Sequence, residues 1–242
     1  MLKKRFEHLR ANKRAISKLA TILILIIIVV GTVMATVFYF LGFLPLGRVV
    51  GSGNLVTEEK DFSDFTIVEV GSGFGIEITQ SSSYSINITA DDNLLDYIEV
   101  SKTGETLTIR LRGSYSYRNV ILRAEITMPD LYELKFSGGT HGTVEGFTSS
   151  HEFILSLSGG STISLEGAAN NLRISASEGS HLHLSDFSVN DATVKLSGGS
   201  GATINLDGIL NANLSGGSKL RYIGDPTMGD INTSDGSTVS KK

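Results

Sequence analysis

Six stretches of the chain share one alternation: "ELKFSGG" (133–139), "ILSLSGG" (154–160), "RISASEG" (173–179), "TVKLSGG" (193–199), "NANLSGG" (211–217) and "DINTSDG" (230–236). Every second position before the Ser is mostly apolar, and the positions between are Lys, Ser or Asn. After the Ser the alternation resumes, with Ile163, Leu182 and Leu220 five places on and Val144, Leu165, Leu184, Ile204 and Tyr222 seven places on. A period of two is the mark of half-buried strands. Because the corner Ser recurs every 18–21 residues, the same apolar column recurs with it. Residues of one kind at one offset in every copy are what stacked parallel turns require, each turn covering the column of the last. The pattern predicts an all-β chain whose repeat region, residues 131–240, is a parallel β-solenoid of about six rungs, with strands ~4.8 Å apart.

Two of the six corners replace the first Gly, as Ser177-Glu178-Gly179 and Ser234-Asp235-Gly236. The second Gly stays in all six, at Gly139, Gly160, Gly179, Gly199, Gly217 and Gly236. These are the expected structural corners, with positive φ required at the second position alone. The Ser beside them is expected to bond corner backbone or the Ser one rung away. Six Ser without a column of His do not form a nucleophile and its base.

Residues 54–130 alternate too, in "FTIVEV" (65–70), "GIEIT" (75–79), "YSINITA" (84–90), "YIEVSK" (97–102), "TLTIRL" (106–111) and "VILRAEITM" (120–128). They lack the fixed period and are expected to open or cap the solenoid. Before them, residues 19–46 carry no charge and are apolar for longer than the ~20 residues needed to cross a bilayer. Residues 1–18 hold seven Lys and Arg against Glu7, a net of +6, and no Lys or Arg follows until Arg48. This asymmetry predicts a single-pass transmembrane α-helix over 19–46, a basic cytoplasmic tail over 1–18, a linker at 47–53 and an extracytoplasmic remainder. A cleaved signal peptide ending near Val33-Met34-Ala35 is the rival, but its apolar core spans only about 7–15 residues.

The 242 residues include no Cys and no Trp. An exported domain without disulfides depends on packing and ladder hydrogen bonds, and suits a prokaryotic surface. Since the whole chain is −4 and its first 18 residues +6, the remainder is −10, which excludes nucleic acid as a partner. His181 and His183 could supply half a zinc site that nothing completes, and His141 shares the column of His181 two rungs away. Asp91-Asp92-Asn93 offers too few oxygens for calcium and reads as a turn. No catalytic, cofactor or metal residue is therefore assigned.

The segments "DFSDFTIVEVGSGFGIEITQ" (61–80), "ITADDNLLDYIEV" (88–100), "TGETLTIRL" (103–111) and "ITMPDLYELKFSGG" (126–139), in that order, resemble the head GIN domain of the auto-transporter adhesin family. The resemblance covers roughly residues 54–235. It implies a right-handed β-solenoid on the cell surface and supplies no catalytic residue. The expected function is a membrane-anchored, non-enzymatic module that contacts a surface glycan or an envelope protein. Alternatives are an envelope-sensing partner of another membrane protein and an enzyme acting on acidic polysaccharide.

Overall fold

The computed structural model describes residues 47–113 and 115–242. The anchor expected at 19–46 and the tail at 1–18 lie outside the described residues. Among the described residues no helix is long and apolar enough to cross a membrane. Val49–Gly113 and Tyr117–Lys242 form one compact unit; only four described residues belong to a second one, Met1–Arg48 with Ser114–Ser116.

In chain order the strands are β1 (Arg48–Val50), β2 (Leu55–Glu59), β3 (Ile67–Val70), β4 (Gly75–Gln80), β5 (Ser85–Asp91), β6 (Ile98–Thr103), β7 (Thr106–Leu111), β8 (Ser116–Arg118) and β9 (Leu122–Met128). They continue as β10 (Glu133–Phe136), β11 (His141–Leu157), β12 (Thr162–Ala176), β13 (His181–Leu196), β14 (Gly201–Leu206), β15 (Ile209–Leu214), β16 (Lys219–Ile223), β17 (Thr227–Thr233) and β18 (Thr238–Lys241). A 3-10 helix at Asp92–Tyr97 buries Leu94.

The repeat region is a parallel solenoid. Leu134, Leu155, Ile174, Val194, Ala212 and Ile231 stand one above another in register, as do Phe136, Leu157, Ala176, Leu196, Leu214 and Thr233. Past the corners, Val144, Leu165 and Leu184 carry the second inner column to Ile204 and Tyr222. The long strands β11 and β12 bend where the register shifts, between Val144 and Phe147 and between Ser149 and Glu152. Phe147, Phe153 and Phe187 fill the interior at those bends, with the Phe153 and Phe187 rings 5.4 Å apart. The six corners stack one per rung, giving the six rungs expected and five complete turns of coil between the first corner and the last.

Every second-position glycine has positive φ: 78° at Gly139, 73° at Gly160, 74° at Gly179, 76° at Gly199, 75° at Gly217 and 74° at Gly236. The first position is left-handed as well, at 61–64° for Gly138, Gly159, Gly198 and Gly216, 56° for Glu178 and 51° for Asp235. The expectation that only the second position turns left is thus corrected. An ordinary side chain is tolerated in the small region near φ +55°, and the second position lies beyond it. The N–H of each second glycine before Gly236 donates to the first-position carbonyl one turn on, for example Gly160 to Glu178 and Gly179 to Gly198, both at 2.9 Å.

The hydroxyls that tie the corners are not those of the corner Ser. They belong to Thr140, Ser161, Ser180, Ser200 and Ser218, three residues later, all essentially buried. Each donates at 2.7–2.8 Å to the carbonyl of Ser137, Ser158, Ser177, Ser197 or Ser215.

The strands before the repeats do more than cap. β3 and β4 form a further rung, with Ser72 (φ 65°) and Gly73 (φ 76°) at its corner. β7 lies parallel to β3 and β9 parallel to β4, making another rung. The chain does not stack these in sequence: β3 and β4 sit between β7–β9 on one side and β10–β11 on the other. Beyond β7 and β9, the antiparallel strands β6, β5 and β2 close that end. β1 and β8 pair as a separate ribbon. One apolar core runs from Phe65 to Leu220 through both the early strands and the repeats.

Candidate functional site

A parallel stack with a dry interior displays its chemistry outward, in columns one residue wide. On the face after the corners, Arg123, Gly75 and His141 are consecutive in the ladder, and Glu125, Glu77 and Thr143 form the next column. Gly75 has no side chain to fill its place, and the His141 imidazole leans over it, Nε2 lying 3.3 Å from where a Cβ would stand. The result is a groove of about 410 Å³ walled by Arg123, Glu125, Glu77, His141 and Thr143. Among the described residues no ion pair engages Arg123, Glu77, Glu125 or His141. Two carboxylates directly opposite across a ladder repel. A ligand offering hydroxyls or a cation relieves that repulsion, and Arg123 supplies donors beside it. Glu77 and Glu125 belong to strands outside the period, so no repeat signal brings them together.

Farther along the same face Glu145, Glu166 and Asp186 line a smaller groove of about 180 Å³ with His183. His181 and His183 are exposed on β13, and Thr162 of β12 stands in register between His141 and His181. Among the described residues no three His, Cys, Asp or Glu lie close enough to hold a metal ion.

Asp91-Asp92-Asn93 is a clamp. The Asp91 carboxylate is buried and accepts the N–H of Gly53 at 2.7 Å and of Ile121 at 2.8 Å. Asn93 Nδ2 donates to the Val50 carbonyl and the Ser52 hydroxyl donates to Asp92. These oxygens secure the segment 50–54 that leads into the cap.

A second polar cluster lies at a bend of β11, and sequence reasoning missed it. His151 Nε2 is 3.1 and 3.2 Å from the two Asp130 carboxylate oxygens, Nδ1 is 3.0 Å from the Glu152 carbonyl, and the ring packs 3.7 Å from Tyr132. Ser149 is nearby, but its hydroxyl is engaged with His151 backbone. With both imidazole nitrogens occupied, neither is placed to take the Ser149 proton, so the three do not work as a hydrolytic triad.

A family model described as "Putative auto-transporter adhesin, head GIN domain" matches residues 64–226. The chain belongs to the head GIN domain family. Solved structures agree on the fold. One described as a putative adhesin from Bacteroides fragilis NCTC 9343 has a TM-score of 0.68 at 20% identity, covering 80% of this chain and 100% of its own. A putative adhesin from Parabacteroides merdae ATCC 43184 gives 0.51 at 19% identity over 81% and 99%. A putative lipid binding protein from Parabacteroides distasonis ATCC 8503 gives 0.50 at 20% over 81% and 99%. No protein of curated function matches this head GIN domain chain in sequence.

Proposed function

We propose that this chain is a membrane-anchored head GIN module that makes contact at the cell surface, without catalysis, through the outward columns of its solenoid. The observation that carries the reading is its membership of an adhesin-named family over residues 64–226. The groove at Gly75 supports it, because no ion pair among the described residues engages Arg123, Glu77, Glu125 or His141 along its walls. An acid–base pair for sugar cleavage needs environments that set its two members apart, whereas Glu77 and Glu125 share one open face. The apolar run at 19–46 holds the module to the membrane and the basic tail stays inside.

The test uses the full chain in phospholipid vesicles, mixed with whole cells, with cell-wall fractions and with uronic-acid polymers in the presence and absence of calcium. Capture by cells or wall, weakened by Arg123→Glu and Glu77→Lys, is the expected result. Turnover of the polymer would overturn the reading in favour of an enzyme.

A further inference from the structure

Gly75 sits between Arg123 and His141 in one outward column, and Glu77 and Glu125 stand side by side in the next. Their other neighbours in the ladder are neutral: Asn87 beside Glu125, Thr143 beside Glu77 and Thr89 beside Arg123. Adjacent strands lie ~4.8 Å apart, so the two carboxylates repel at short range. No ion pair among the described residues engages either of them or Arg123. The groove of about 410 Å³ therefore has two acceptors at one end and a guanidinium at the other.

That arrangement selects a ligand by its charges. Two carboxylates in one column bracket a single cation, and an ammonium between them removes their repulsion while giving each a charge-assisted hydrogen bond. A bare metal ion needs more oxygens than two side chains supply, and among the described residues no three His, Cys, Asp or Glu lie close enough for one. An amine alone would leave Arg123 unanswered. The planar fork of an arginine matches a carboxylate bidentately. Gly75 leaves a place for one between Arg123 and the His141 imidazole, which leans over the gap. An ammonium and a carboxylate so placed lie two residues apart along the strands, roughly 6–7 Å. An α-amino acid holds its own two charges much closer together, whereas an extended lysine side chain sets its ammonium about this far from its carboxylate.

We propose that the groove takes the C-terminal lysine of a peptide, its side-chain ammonium between Glu77 and Glu125 and its terminal carboxylate over Gly75 between Arg123 and His141. The groove is part of the outward columns read above as the contact surface, so the assignment rests on that reading and names what one part of the surface holds. An internal lysine lacks the carboxylate and a C-terminal leucine lacks the ammonium; each fills half of the site.

Saturation-transfer NMR on the full chain in phosphatidylcholine nanodiscs, titrated with Nα-acetyl-lysine, reads the site directly. Saturable binding is expected. Nα-acetyl-lysine methyl ester and Nα-acetyl-norleucine should each bind on the order of tenfold more weakly, since each loses one charge-assisted contact. Glu77→Gln combined with Glu125→Gln should abolish the preference for lysine over norleucine, and Arg123→Gln the preference for acid over ester. Gly75→Ala tests the gap. Gly75 is outside the left-handed region, and its added methyl first meets His141 Nε2 at 3.3 Å, the end of a side chain that can turn away. An unchanged urea midpoint is expected to show the fold retained, with affinity for Nα-acetyl-lysine reduced to that of the ester. No saturable binding of Nα-acetyl-lysine, equal binding of its ester, or undiminished binding by Gly75→Ala would each overturn the proposal. Capture of the chain by cells or wall fractions without binding of Nα-acetyl-lysine would leave the surface function standing and remove this inference alone.

Discussion

Gly199 isolates the conformational cost of the solenoid corner. Its φ is 76°, and a Cβ built there meets nothing within 4 Å. Any penalty for a side chain at this position is therefore backbone strain rather than collision. Alanine should cost about 1–2 kcal/mol, asparagine less because it visits the left-handed region more readily, and valine up to about 3 kcal/mol. For a domain of this size each kcal/mol lowers Tm by about 2–4 °C. Gly159 is the control: its φ is 63°, and a Cβ there would lie 2.9 Å from the Gly138 nitrogen, so Gly159→Ala adds steric contact to strain. Urea unfolding monitored by far-UV circular dichroism gives the order, with an unchanged m-value marking an intact two-state comparison. Equal costs for Asn, Ala and Val at Gly199, or no cost for any of them, would refute the conformational explanation.

The remaining expectations divide structure from surface. Ser161→Ala removes a buried hydroxyl that donates at 2.7 Å and should destabilise by about 1 kcal/mol, whereas Ser158→Ala, three residues earlier at the same corner, should stay within about 0.5 kcal/mol by the same urea titration. Asp91→Asn turns a donor toward N–H groups that need an acceptor, and should cost about 2–3 kcal/mol with faster amide exchange at Gly53 and Ile121. Because those carboxylate oxygens are already engaged, adding calcium or a chelator should leave the melting temperature where it is. Glu99 is held below the usual carboxylate range by the hydrogen bond from Arg110 across β6 and β7. A lowered folded pKa stabilises above the ordinary glutamate range and is lost as pH falls through the lowered value. Arg110→Gln should therefore flatten part of the acid limb of a Tm-versus-pH curve.

What the sequence disclosed follows from which side chains the fold constrains. Inner columns must be apolar in every turn, so Leu155, Ile174 and Val194 repeat visibly and the parallel stack could be read from them. A corner beyond φ +70° excludes side chains, so its glycine repeats as well. The buried hydroxyls were legible in principle, since Thr140, Ser161, Ser180, Ser200, Ser218 and Ser237 have inner parity and are Ser or Thr in all six copies. A hydroxyl at inner parity interrupts the apolar alternation, so a pattern of hydrophobicity alone hides it. The rung formed by β3 and β4 was hidden for a different reason. Its corner, Gly71-Ser72-Gly73, is of the same kind, but β5 to β9 are inserted before the next, and a period broken by an insertion leaves no periodic signal.

The outward columns obey the opposite rule. Nothing in the stack fixes their identity, so Arg123, Gly75 and His141 share a column without sharing a chemical type. Sameness from turn to turn marks the scaffold, and neighbouring turns differ on the outward face. The groove exists because Gly75 interrupts a column of side chains, with two like charges beside it that no ion pair engages among the described residues. In a solenoid, then, the positions that break the column pattern are the ones its scaffold leaves free to vary.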